Sequence, residues 1–153
     1  VGYNLEGNEL GASFGLVQLE KLKENITIRQ RNFLRQTEFF AKYPEFFSNP
    51  KETDSCETAW LAFPILINKS APFNRKQFMI FLEERNIQTR VVFTGNIIRQ
   101  PMCSDAEIKV LESGYPNSDA VMGRGVLLPV HHGLTESMFE RVHETIDEFI
   151  QSL

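Results

Sequence analysis

Residues 9–42 read ELGASFGLVQLEKLKENITIRQRNFLRQTEFFAK and contain no proline. Apolar side chains recur along them at helical spacing. Leu16, Leu19, Leu22 and Ile26 form one stripe, which Phe33, Leu34 and Phe40 continue. That period predicts a single long helix. Pro44 stops it, because proline carries no amide proton for the helix ladder and clashes with the preceding turn. Gly11 and Gly15 sit near its start. Each glycine costs a helix roughly 1 kcal/mol, so the pair predicts close backbone packing there.

The rest of the chain is built from shorter pieces. Residues 46–56 are polar around Pro50 and read as a loop. Residues 58–68, TAWLAFPILIN, are rich in strand formers, and Pro64 within them points to an edge or a bulge. Pro72 and Phe73 lead into a helix capped by Asn74, with Phe78, Phe81 and Leu82 on its apolar face and Asn86 at its end. Residues 87–93 read as a second strand. Ser104 caps a short acidic helix over 105–112. Tyr115 and Pro116 open a further segment through Met122. Residues 125–130, GVLLPV, form a third strand. Thr135 then caps an amphipathic helix over 135–153, with Met138, Val142, Ile146 and Phe149 inward and Glu136 and Glu140 near its positive end. This order predicts an α+β fold: a small β-sheet covered by helices, with a long N-terminal helix. The chain divides into two parts, 1–44 as a loop with the long helix and 45–153 as an α+β domain.

The sequence has 153 residues, 42% of them hydrophobic and 24% charged. That suffices for one ordinary core. Thirteen Phe against three Tyr and one Trp make that core aromatic. A net charge of −4 argues against broad binding to nucleic acid or anionic membranes. No apolar run reaches the length that spans a bilayer, and no signal peptide is visible. The opening Val1-Gly2-Tyr3 reads like the middle of a longer polypeptide. Cys56 and Cys103 lack any C-x-x-C spacing and read as free thiols of a cytoplasmic protein rather than a disulfide or metal pair.

The chemistry concentrates in residues 89–101, TRVVFTGNIIRQP. A strand breaks at Thr94-Gly95-Asn96 and runs on to Arg99. Guanidinium forks hold phosphate and carboxylate at two points, so Arg90 and Arg99, with the Asn96 amide, are candidate contacts for an anionic or carbonyl-bearing ligand. The alternative is that both arginines are surface charges. His131-His132-Gly133 read as a turn, since no acidic partner or third histidine gives them metal-ligand spacing. His143 falls on the polar side of the last helix and is expected in solvent. Asn4 stands before the long helix, as a cap or as a phosphate contact. The chain has no GxxxxGK[ST], GxSxG or GxGxxG motif.

Gly2-Tyr3-Asn4, Glu9-Leu10, Ala12, Gly15-Leu16-Val17-Gln18-Leu19 and Leu22 resemble the signature of the DegT/DnrJ/EryC1/StrS sugar aminotransferases, which use pyridoxal phosphate. The resemblance implies the C-terminal small domain of the aspartate-aminotransferase fold (fold type I), with 1–44 as interdomain loop and helix. Arg29 and Arg31 come where the family carries arginines on the same helix. Ile87-Gln88-Thr89-Arg90, Phe93, Gly95-Asn96 and Arg99-Gln100-Pro101 look like one branch, the 4-keto-6-deoxyhexose 3-dehydratases. In that branch pyridoxamine phosphate works on the C4 ketone of a nucleotide sugar and the C3 hydroxyl leaves. Leu128-Pro129 and Leu134-Thr135-Glu136 fit the family's C-terminal end.

The resemblance further implies a cytoplasmic homodimer serving deoxysugar and lipopolysaccharide biosynthesis. It makes Asn4 a contact to the cofactor phosphate of the neighbouring subunit, and Arg90, Asn96 and Arg99 substrate contacts. The family's Schiff-base lysine, or its histidine replacement, lies upstream of the GYN motif, so no catalytic residue and no metal ligand is assigned within this chain. Glu6 stands where many of the aminotransferases have Arg. A sugar aminotransferase of the same family is the second reading. A stand-alone α+β ligand-binding or regulatory module is the third.

Overall fold

The computed structural model describes residues 7–153; Asn4 and Glu6 lie outside them. The long helix α1 runs Glu9–Phe40, and the Asn8 side chain caps it by accepting from the Gly11 amide at 2.6 Å. Then come β1 (Phe47–Ser48), β2 (Phe63–Ile67), α2 (Arg75–Glu83), β3 (Arg90–Val91), α3 (Pro116–Arg124), β4 (Gly125–Leu128) and α4 (Glu136–Gln151). Two 3-10 turns, Ile97–Arg99 and Pro101–Cys103, lie between β3 and α3. The fold is α+β, with a small antiparallel sheet in the order β1-β2-β4-β3. Phe63 pairs with Leu128 and Ile65 with Val126 across its centre.

Local chemistry explains most of these boundaries. Asn74 and Gln77 form a reciprocal capping box at the start of α2. Thr135 caps α4. Asn86 ends the α2 segment with φ 61, a conformation asparagine tolerates better than most residues. Pro64 sits in an inner strand, yet β1 reaches only Leu66 and Ile67. Pro64 therefore has a partner strand on one side alone, which is how a proline enters a sheet.

Several elements differ from the expectations set by the sequence. Residues 105–112 are irregular and wholly exposed, not a helix. A helix that short needs a packed face to hold it, and this one has none. The loop at 46–56 contains β1, two residues long, which no periodicity reveals. The strands shrink to the parts that find ladder partners, most of all 87–93, of which only Arg90 and Val91 pair. Met138 lies half in solvent, and Phe139 takes the buried place on α4.

The core is aromatic, as the composition predicts. Phe40 stacks on Phe63 at 5.5 Å and meets Phe47 edge-on at 5.0 Å. Phe149 from α4 meets Phe73 and Phe78 edge-on at 4.8 and 5.3 Å. Offset and edge-on contacts of this kind add about 0.5–1.5 kcal/mol per pair to the burial itself. Phe33 stacks on Trp60 at 4.0 Å, which holds the segment before β2 against α1.

Polar contacts fix how α1 lies on this core. Asn32 donates to the His131 carbonyl at 3.1 Å, and Gln36, fully buried, donates to the Pro129 carbonyl at 3.4 Å. The Gln36 oxygen is 2.9 Å from His143 Nε2. That oxygen can only accept, so the proton sits on Nε2. His143 also stacks flat on Phe39 at 3.9 Å. It is thus a packed residue and not the solvated one that its position on α4 suggested. Its partners come from α1, distant in sequence.

Residues 7–24 are exposed throughout, including Leu10, Phe14, Val17 and Leu19, with Phe14 at 72%. Phe33 and Phe40, by contrast, are buried in the core. The 153-residue chain by itself should bind an apolar dye or self-associate through this half of α1. A dilute monomer giving no dye fluorescence would contradict it.

Burial first, and then the positive charges of Arg35 and Lys42, push His143 down to about 4, against an opposing pull from Asp147 and Glu136. The unfolded chain keeps its ordinary value near 6.5, so it binds the extra proton between these limits. The contribution is complete above pH 6.5 and is lost as pH falls towards 4. Denaturation midpoints should therefore drop between pH 7 and 4.5, and by less in His143→Phe. Equal drops in both proteins would exclude His143 as the cause.

Candidate functional site

A cleft of about 770 Å³ opens beside the β3 edge of the sheet. Leu127 of β4, Ile87, Leu134 and the α4 residues Met138 and Val142 line it, so its walls are mostly apolar. Arg90, His131 and Arg141 bring polar groups to it, and Phe93 also faces it.

β3 sets Arg90 in place by pairing it with Leu127. Glu83 anchors the strand from the other side. Its carboxylate accepts from the Thr89 amide at 2.6 Å and the Thr89 hydroxyl at 2.9 Å, and these bonds hold it below the usual carboxylate range. Arg90 is exposed, and its guanidinium makes no hydrogen bond or ion pair with the described residues. Arg141 differs: one of its guanidinium nitrogens donates to the Arg85 carbonyl at 2.9 Å.

The other two candidates from the motif are engaged within the chain. Asn96 is buried, donates to Asp119 at 2.8 Å and accepts from the Ile98 amide. Arg99 grips the same carboxylate at two points, 3.1 and 3.0 Å. Its bonds, and then those of Asn96, keep Asp119 below the usual carboxylate range. Asp119 lies on α3, twenty residues beyond Arg99, and nothing in the spacing announces the pair. The two arginines of the motif thus part company: one faces the cleft and the other staples the loop.

His131 and Arg141 are cleft residues that the motifs do not single out. His131 does lie in a turn: its Nδ1 accepts from the Gly133 amide at 3.0 Å, which leaves the proton on Nε2. Burial, His132 and Arg29 all lower its pKa, so it is neutral at pH 7. The signal for it was its place directly after the expected strand over 125–130, between that strand and the Thr135 helix cap. Cys56 and Cys103 are free thiols, and no described helix is long and apolar enough to cross a membrane.

The model of the DegT/DnrJ/EryC1/StrS aminotransferase family matches residues 1–147. The chain is 36% identical to the dTDP-4-dehydro-2,6-dideoxy-D-glucose 3-dehydratase of Saccharopolyspora spinosa, over 98% of its own length and 32% of the relative's. It is 32% identical to the lipopolysaccharide biosynthesis protein RfbH of Salmonella typhimurium, over 97% of this chain and 34% of that one. Among solved structures, the Escherichia coli GDP-4-keto-6-deoxy-D-mannose-3-dehydratase with bound hydrated PLP superimposes with a TM-score of 0.81 at 25% identity, covering 94% of this chain and 36% of that one. The chain therefore spans about a third of the length of these relatives. Its cleft does not fit that cofactor unaided: among the described residues no lysine lines it to form an imine, and no carboxylate to pair with a pyridine nitrogen. The family match over residues 1–147 nevertheless decides the kinship, and the chain belongs to the DegT/DnrJ/EryC1/StrS aminotransferase family.

Proposed function

We propose that this chain is the C-terminal part of a pyridoxal- or pyridoxamine-phosphate enzyme acting on a nucleotide sugar, a 4-keto-6-deoxyhexose 3-dehydratase of deoxysugar and lipopolysaccharide biosynthesis. Two things support the dehydratase reading. The run TRVVFTGNIIRQP carries the features of that branch, and the chain is 36% identical to a 3-dehydratase over nearly its whole length. A sugar aminotransferase is the second reading, since a dTDP-4-amino-4,6-dideoxy-D-glucose transaminase is 26% identical over 92% of the chain. In either case residues 1–44 serve as interdomain loop and helix and 45–153 as the small domain. The working unit is a cytoplasmic homodimer in which Asn4 reaches the cofactor phosphate of the neighbouring subunit.

The single observation that carries a substrate role is Arg90. It is a guanidinium with no partner among the described residues, set by a strand at the mouth of a cleft. Such a group offers two parallel donors to a phosphate. Asn96 and Arg99 serve the substrate as positioning residues, because their polar groups are committed to Asp119. The neutral His131 offers a single Nε2–H to a sugar hydroxyl. The cofactor, held mainly by the part of the protein outside this chain, would supply the electron sink when bound. The residues here bind, orient and shield from water, and those effects supply geometry rather than bond breaking.

The full-length protein, given nucleotide-linked 4-keto-6-deoxyhexoses, should release a 3-deoxy product. Transfer of an amino group from glutamate instead would favour the second reading. Arg90→Ala in that protein should lose about 1.5–3 kcal/mol of binding, or one to two decades in kcat/KM, with its cofactor absorbance and Tm unchanged. Arg99→Ala should lower Tm as well, because it frees Asp119 and the loop. Wild-type kcat/KM in both variants would reduce the arginines to surface charges. The 153-residue chain alone should turn nothing over.

A further inference from the structure

Phe93 is a bulky residue in a conformation that bulky residues avoid. Its φ is 46, in the left-handed region, where a side chain crowds the backbone. It is also 79% exposed, so no burial offsets that strain. Strained residues that persist without a packing reward gather at ligand clamps and active sites.

The surroundings hold Phe93 in this state from both sides. Upstream, its amide donates to the Val91 carbonyl at 2.9 Å, and the Gly95 amide closes the turn onto Val92 at 3.1 Å. Downstream, Gly95 has φ +69 and lies against α3. A Cβ there would come within 2.3 Å of the Met122 Cβ, so only glycine permits the approach. Gln100 donates to the Thr94 carbonyl at 2.8 Å, and the Asn96–Asp119–Arg99 cluster fixes the start of the next turn. These polar groups stiffen the loop, and the side chain it presents is a bare aromatic ring facing the cleft.

We infer that Phe93 is a stacking platform for the nucleobase of the nucleotide sugar, acting beside Arg90 at the phosphates. This deepens the function proposed above and rests on it. Phe93 lies three positions after Arg90, at most about 10 Å of extended chain. One nucleotide can therefore meet both residues within a single cleft. Phenylalanine offers no hydrogen bond, so the platform reads a flat ring without choosing among bases. Choice of base then falls to other groups.

The test uses the full-length protein and titration calorimetry with dTDP, GDP and CDP, and with inorganic pyrophosphate as a probe lacking a base. Loss of a base–aromatic stack should weaken nucleoside diphosphate binding about 5- to 150-fold. Phe93→Ala and Phe93→Leu should both show it, Phe93→Trp should not, and pyrophosphate affinity should stay as in the wild type. Arg90→Ala should weaken all four probes. Phe93→Gly should lose affinity while its Tm holds or rises, because glycine accepts the left-handed backbone. Unchanged nucleoside diphosphate binding in Phe93→Ala overturns the stacking role and leaves the enzyme reading intact. So does an equal loss for pyrophosphate with a lowered Tm, which makes Phe93 a contact that holds the protein together. A wild type that binds none of the nucleoside diphosphates overturns both.

Discussion

The buried amide of Gln36 is the hinge on which the arrangement turns. It is fully enclosed, so both ends of the group must find partners or cost the fold about 1–3 kcal/mol each. The partners lie in the segment after β4 and on α4, the Pro129 carbonyl and His143. One side chain on α1 thus fixes where the chain leaves the sheet and how the last helix lies. Asn32, one turn earlier, repeats the contact to the His131 carbonyl. The cleft inherits its shape from this, because its wall is made of residues 127–131 on one side and α4 on the other. An apolar replacement at position 36 would strand His143 and a backbone carbonyl in the core, so the cost would exceed that of one lost bond.

A second constraint works within the loop at 92–101. Gly95 can approach Met122 only because it has no side chain. That approach brings Asn96 and Arg99 to Asp119, and their shared carboxylate stiffens the loop. Arg90 and Phe93 are then the groups left over, one charged and one aromatic, both facing the cleft. The strain at Phe93 and the ion pair at Arg99 are parts of one arrangement. The stabilising half lies on the α3 side, and the half that lines the cleft lies on the open side.

What could be read from the chain depends on the reach of each interaction. Asn74 and Thr135 cap helices through groups three residues away, and both were legible. The long helix was legible from its period alone, and the aromatic core from the count of phenylalanines. His143 was not, since Gln36 and Phe39 lie about a hundred residues earlier and no pattern on α4 names them. The stretch 105–112 has a helical look because its residues favour helices, and it fails for want of a surface to rest on. At the site the motif was legible while the division of labour was not. Arg90 and Arg99 are equivalent on paper, and only Asp119, on another element, separates them.

The two halves of α1 live in different surroundings. From Asn25 onward the helix alternates between buried and exposed positions and belongs to the core. Before that it is exposed on all sides, apolar stripe included. An isolated helix of that length is marginal in water, so the first half draws its order from the second, which the core holds. Its leucines and phenylalanine are not buried by any described residue. They are the kind of surface that gains its value when something covers it. Because the helix is continuous, one element carries both this exposed face and, through Gln36, the contacts that set the wall of the cleft.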